Sequence, residues 1–382
     1  MEDRAKGLSP NIILAMMGLA SVAIARALLP IEGPPDGDFA LFLMPWMNAI
    51  HQQGLASIAG GFSEYTPPYI YLLNLAALIE PAVGTVASVK LVNVPFVISC
   101  AWGLGAIVRH LTDSHERGIA AAAVTAVCPS LLVNAFAFGQ CDAIFAGFLI
   151  WFVYFALSER PLLAALMFGL AFAFKAQALF AAPLIGVLLL WRRMAWWHVL
   201  LIPATYLAMM VPAAFAGRPW SELLTIYLGQ TSVMHELSLN APNPWWFLKD
   251  VVAYRTGVIV GLVAGAAAAA AIAWRARALP RWGVAILLVA TASVAVLPWV
   301  LPKMTSRYFI VADLLTIALA FVRPQLWPAA VLIQVGSLVA SLSYFYPASA
   351  TAALAFGPTT LGVGILTYAL FTERKEPTDA PT

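Results

Sequence analysis

Charge is what this chain of 382 residues has least of: 10% of them are charged and 62% are hydrophobic. A water-soluble protein carries about a quarter of its residues charged. A hydrated shell cannot be built from so few, which excludes an ordinary soluble enzyme. The formal charge of +3 is small, and the basic residues are scattered through short polar gaps rather than gathered in a patch, so nucleic acid is not a partner. Cysteine is nearly as scarce. Cys100, Cys128 and Cys141 lie in or beside apolar runs with no C-x-x-C spacing. That leaves no disulfide framework and no thiolate metal site, and all three read as core residues. There is no internal repeat. The Ala-rich run at 265–273 reads as small-residue helix packing.

Long apolar runs are what the chain has in plenty, with a mean hydropathy of +0.87. They fall near 11–30, 88–108, 118–137, 142–157, 162–176, 178–191, 198–216, 247–274, 282–300, 308–322, 325–345 and 351–371. The expected fold class is all-α: a polytopic membrane helix bundle of about 12 transmembrane helices, one domain over 1–382 with no soluble domain. Arg4 and Lys6 followed by Ala25-Arg26-Ala27 imitate a signal peptide, but the run between them is long enough to span, so it reads as a retained first helix. The Arg-rich turns (Arg109, Arg117, Arg160, Arg192, Arg193, Arg275, Arg277, Arg281, Arg323) fall in alternate gaps. This predicts a bacterial inner-membrane protein with both termini cytoplasmic. The parity holds only if 66–82, opened by Pro67-Pro68 and closed near Glu80-Pro81, does not cross. It is expected to be re-entrant or interfacial. Two outer, periplasmic segments remain, 30–68 and 217–246.

The outer segments collect the chemistry. Asp36-Gly37-Asp38 sets two carboxylates beside the membrane, able to act as general base or to hold a divalent ion such as Mg or Mn; Gly-Pro-Pro-Asp-Gly-Asp is also ordinary turn chemistry. Glu64 and Tyr65 precede the rigid Pro67-Pro68. Gln140 and Asp142 open an apolar run, where an acid also suits a helix start. Lys175 and Gln177 lie between two apolar runs, where a charge is costly unless paired or snorkelling. Lys303 and Arg307 stand four apart; on a helix they would share one face, an outward basic pair suited to a phosphate. His235, Glu236 and Asn240 in the second large outer segment are weaker contacts for an acceptor.

GDFALFLMPW at 37–46, YTPPYIYLL at 65–73, FGQCDAIFAGFL at 138–149, AFKAQALFAAPLI at 173–185, AGRPWSELLTIYLGQ at 216–230, LNAPN at 239–243 and LPKMTSRYFIVADLL at 301–315 occur in one order. Together they resemble the bacterial GT-C-type membrane glycosyltransferases, in the group related to the mannosyltransferases of GPI-anchor assembly, over about 37–322. The resemblance implies a catalytic acid in the first outer loop and a sugar donor carried on polyprenyl phosphate. It implies transfer of a hexose, with inversion, to a lipid or glycan acceptor. Asp38 matches the family's outer-loop aspartate, with Asp36 an extra carboxylate. Asp142 matches the aspartate of the second outer loop, and Lys175 with Gln177 the lysine-x-glutamine pair. Arg307 and Tyr308 match the end of a His-Glu-Arg-Tyr motif, in which Thr305 and Ser306 replace His and Glu. That departure keeps an inactive, lipid-binding relative as an alternative. A secondary transporter is the rival from another class; it would show related halves, which this chain lacks. A metal is not required, since basic residues alone can receive a lipid monophosphate.

Overall fold

The computed structural model describes residues 9–35, 37–230, 234–281, 283–346 and 350–373. Helix α1 (Pro10–Leu28) starts where the Ser9 hydroxyl accepts from the Ile12 N–H and Pro10 presets the first turn. Short α2 (Met44–Gln53), α3 (Pro67–Val83) and α4 (Thr85–Leu91) follow. Helices α5 (Val94–Thr112) and α6 (His115–Ala126) are joined at Asp113, whose φ of 49° turns the chain before Ser114 caps α6. The single turn α7 (Pro129–Leu132) runs into a π-helical stretch, Val133–Ala137. Next come α8 (Asp142–Leu157), α9 (Pro161–Phe174) and α10 (Ala182–Leu190). After them lie α11 (Trp196–Val199), α12 (Leu201–Phe215) and α13 (Trp220–Gln230).

The second large loop holds β1 (Ser238–Leu239) and α14 (Trp245–Leu248), and leads to α15 (Tyr254–Ala276) and α16 (Val284–Val300). Strand β2 (Met304–Thr305) pairs in parallel with β1, and α17 (Ile310–Val322), α18 (Trp327–Ser341) and α19 (Thr351–Thr372) complete the bundle.

Six described helical segments are long and apolar enough to cross a membrane: Pro10–Leu28, Thr85–Thr112, Trp196–Phe215, Tyr254–Ala276, Pro324–Tyr344 and Thr351–Thr372. His115–Ala126 with Pro129–Ala137, bent by 44°, makes a seventh if counted as one span. Shorter apolar helices over 142–157, 161–174, 176–190 and 284–300 pack among them. Each apolar run expected from the sequence contains a helix, and the chain is a multi-pass membrane protein. The stretch expected not to cross is α3, which lies outside the spanning set and packs on α2, α4, α9 and α12. The centre of the bundle is α8, α16 and α17, apolar on nearly every side and correspondingly buried. By contrast, no residue of α1 is buried.

The Arg-rich turns gather at one end. Trp191 Nε1 donates to the Ala276 carbonyl at 3.0 Å, Arg193 pairs with Glu159 at 2.7 Å, and Arg323 pairs with Glu373 at 2.7 Å. Asp38, Asp142 and Arg307 meet at the other end.

Helices α5 and α6 cross at glycines. A Cβ on Gly105 would meet the Gly118 carbonyl oxygen at 2.8 Å and the Ala122 Cβ at 3.0 Å. Backbone cannot retreat as a flexible side chain does, so Gly105→Leu is expected to cost about 1–3 kcal/mol. Gly186→Ala, which enters open space, should stay within about 0.5 kcal/mol of the parent. Thermal unfolding in detergent compares the two, and equal effects would contradict the close crossing.

Candidate active site

Where α1 ends, its last carbonyls need partners. The fully buried Lys90 ammonium supplies them, donating to the carbonyls of Leu28 (3.3 Å), Leu29 (3.0 Å) and Ile31. The same ammonium lies 5.8 Å from the centroid of the Phe39 ring, next to Asp38. Gly139, at φ 66°, fits beneath that ring: a Cβ there would stand 3.1 Å from Phe39 Cδ2 and 3.4 Å from Lys90 Cγ. Lys90 thus anchors the turn that carries Asp38. Sequence reading missed it because it lies in an apolar run as one lysine among others; only the cage of carbonyls marks it.

Asp38 begins a π-helical turn, Phe39–Leu43, that leads into α2. Its Oδ2 accepts hydrogen bonds from the Arg307 guanidinium and from Gln140 Nε2 at 3.2 Å. Buried Gln140 in turn accepts from the Tyr65 hydroxyl at 3.3 Å. Asp142, fully buried at the first turn of α8, pairs through Oδ1 with the Lys175 ammonium. Its Oδ2 accepts from Asn134 Nδ2 at 2.8 Å and lies 3.8 Å from Arg307 Nε. Arg307 therefore bridges the two carboxylates, and the order is Lys175, Asp142, Arg307, Asp38. Asn134, in the π-helical stretch, is a second residue that sequence reading missed.

Backbone irregularity positions the cations. Helix α9 stops at Phe174 and leaves Lys175 extended, at φ −151° and ψ 134°. The freed carbonyls of Phe172 and Phe174 accept from the hydroxyls of Tyr227 and Thr66. The Lys175 ammonium then lies 5.6 Å from the Tyr65 ring, 5.8 Å from that of Phe145 and 6.0 Å from that of Tyr308. Arg307 comes from a 3₁₀ turn, Ser306–Phe309, directly after β2. The loop of β1 fastens that segment. The Lys303 N–H donates to the Leu237 carbonyl at 2.7 Å, Asn240 bridges Thr305, and Asn243 Nδ2 holds the carbonyls of Pro298 (3.2 Å) and Leu301 (3.1 Å).

This corrects one expectation. Lys303 and Arg307 do not share a helical face, because Pro302 and the strand pairing take residues 303–305 out of helix, with Lys303 at φ 63°. Lys303 donates to the Tyr254 hydroxyl at 2.8 Å, and His235 packs on the same ring at 5.5 Å. Glu64 and Glu236 are exposed, and Gln177 is half-buried outside the network. Asp36 lies outside the described residues. Around Asp38 the described neighbours are cations, and among the described residues no three of His, Cys, Asp and Glu converge.

Burial pushes the Asp38 carboxyl upward, but the charges of Arg307 and, behind it, Lys175 outweigh burial and hold it below the usual carboxylate range. Asp38 is thus held ionised, its Oδ2 engaged by Arg307 and Gln140.

The sequence model of glycosyltransferase family 87 matches residues 62–298, more than half of the chain. The chain belongs to glycosyltransferase family 87. No curated protein matches it. Membership makes this a membrane glycosyltransferase, a protein that uses a sugar donor and an acceptor. The matched segment of the family-87 chain contains Tyr65, Gln140, Asp142, Lys175 and Gln177; Asp38 and Arg307 lie just outside it, at opposite ends. The ion-pair chain joins those two to the matched core.

Breaking a buried ion pair from one side strands the other charge. Lys175→Met alone is therefore expected to destabilise this glycosyltransferase by about 3–5 kcal/mol. Adding Asp142→Asn should recover part of that loss in a double-mutant cycle read by thermal unfolding. Strict additivity would show that the pair contributes no coupling.

Proposed function

We propose that this family-87 protein transfers a hexose from a polyprenyl-phosphate donor to a lipid or glycan acceptor. The reaction is placed at the periplasmic face of a bacterial inner membrane and proceeds with inversion at the sugar carbon. One observation carries the reading: an ionised carboxylate, Asp38, is held by a guanidinium, Arg307, on a rigid base of buried charges. A base and a leaving-group binder that share one site can come to lie on opposite faces of an anomeric carbon once the donor separates them.

The donor phosphate competes with Asp38 for Arg307. Once the guanidinium turns to the phosphate, Asp38 loses the charge that depressed its pKa, and its basicity rises where it is needed. Asp38 takes the proton of the acceptor hydroxyl, and that oxygen bonds to the anomeric carbon. The bond from that carbon to the phosphate oxygen breaks, and the monophosphate leaves with the electron pair. Arg307 meets the growing negative charge, and Lys303, whose ammonium donates to the Tyr254 hydroxyl, is the second cation of the same segment. Gln140 keeps the Asp38 carboxylate oriented, while Asp142 and Lys175 hold Arg307 in place. His235, Glu236 and Asn240 lie on the loop that fastens the Arg307 segment, a position suited to acceptor contact. Thr305 and Ser306, where relatives carry His and Glu, leave the phosphate to Arg307 and Lys303.

Purified protein given a panel of polyprenyl-phosphate hexoses should release polyprenyl monophosphate and glycosylated acceptor. Turnover of nucleotide sugars alone would contradict the reading, and no turnover with any lipid donor would favour an inactive relative. Asp38→Asn should lower kcat by about 10²–10⁴-fold in a folded protein.

Lys303→Ala should raise the KM for donor and lower kcat together, because the leaving phosphate gains charge in the transition state. Unchanged parameters would reduce Lys303 to an anchor of its own loop.

The pH profile follows from the depressed Asp38 carboxyl. The base form is present above its pKa and lost as pH falls through it, so the acid limb of kcat/KM should lie below the ordinary aspartate range. In Arg307→Gln burial acts without the opposing charge, and the acid limb should move to higher pH. A limb that stays in place would dissociate Arg307 from the base.

A further inference from the structure

A cavity of about 1030 Å³ lies away from Asp38, between α1, α5, α6 and α8. It exists because α1 packs along α6 and stands off from α5. The lining runs from Ala25 and Val94 at one end to Arg109 and Asp113 at the other. Along α5 that path is about 28 Å at the helical rise, close to the ~30 Å of a bilayer's hydrocarbon core. The walls between are apolar, with Ile98 and Trp102 largely exposed. Its volume is at the upper end of known ligand pockets. In a membrane an apolar cleft of that size and length fills with hydrocarbon chain, since close packing leaves no void so large.

The far end says what the chain carries. Arg109, His110, Asp113 and His115 line it, and all four are exposed. Arg109 and Asp113 stand four apart but do not bridge, because the left-handed Asp113 leaves helical register. Among the described residues neither has an ion-pair partner. The root of the Arg109 side chain lies against α6, where a Cβ added at Gly118 would stand 2.9 Å from the Arg109 Cβ. A cation and an anion that pair with no described residue, at the head of an apolar groove, complement a zwitterion attached to hydrocarbon.

We propose that this groove binds a phospholipid with a phosphoethanolamine-type headgroup. Its phosphate sits on Arg109 beside His110 and His115, its ammonium faces Asp113, and its chains run between α1 and α5. The site is at the end of the bundle opposite Asp38 and does not depend on the donor chemistry.

Native mass spectrometry of the purified full chain tests this, with phosphatidylethanolamine and phosphatidylglycerol of identical chains as probes. Wild type should retain the ethanolamine lipid in preference to the glycerol lipid. Arg109→Gln should weaken retention roughly tenfold, as for a lost charge-assisted contact. Asp113→Asn should erase the preference between the lipids. Gly18 faces open space, so Gly18→Trp should fill the groove and abolish retention of both lipids, with thermal unfolding in lipid-free detergent unchanged. Equal or reversed preference in wild type overturns the headgroup assignment. Retention indifferent to Gly18→Trp and Arg109→Gln overturns the site. Displacement of the ethanolamine lipid by polyprenyl monophosphate would also overturn it, by giving the groove to the donor.

Discussion

Four formal charges, Lys175, Asp142, Arg307 and Asp38, form one ion-pair chain at one end of a largely apolar bundle. Asp142 is fully buried and Lys175 nearly so; an isolated charge so placed would neutralise rather than stay. Their pairing makes a fixed base against which Arg307 is set, and Arg307 in turn presents itself to Asp38. Much of the local structure serves this arrangement. Helix α9 ends early so that Lys175 can turn inward, the π-helical stretch delivers Asn134, and the parallel pairing of β1 with β2 fastens the Arg307 segment.

The same constraint explains how the two halves of the site relate. Asp38 follows the first helix and Arg307 precedes α17, so the ion-pair chain closes only when the two ends of the fold come together around the matched core. Lys90 ties the first of these ends by capping three carbonyls, and Asn243 ties the second by holding two. Neither touches the charged chain, yet each sets where one of its members stands.

The helices were legible because in a membrane the backbone must satisfy itself, and apolar length is then enough to mark a segment. The runs at 142–157 and 351–371 became helices almost residue for residue. The non-crossing reading of 66–82 came from Lys/Arg parity rather than hydropathy; that stretch is helix α3, Pro67–Val83. The polar residues were legible as costs: a lysine between two apolar runs at 175 had either to pair or to snorkel, and it pairs with Asp142. Position four apart was a poorer guide at 303 and 307, since Pro302 and two short strands override helical spacing there. Lys90 and Asn134 were invisible because their role depends on irregular backbone: a helix end for one, a π-helical stretch for the other.

The central claim is that Arg307 holds Asp38 ionised at rest and releases it to the reaction when a phosphate arrives. Infrared difference spectroscopy of the Asp38 carboxylate, assigned with Asp38→Asn and titrated with and without polyprenyl monophosphate, measures this directly. The expected result is a carboxyl that titrates below the ordinary aspartate range in the free protein and at higher pH with the lipid phosphate bound. A carboxyl whose titration is the same in both states would contradict the account.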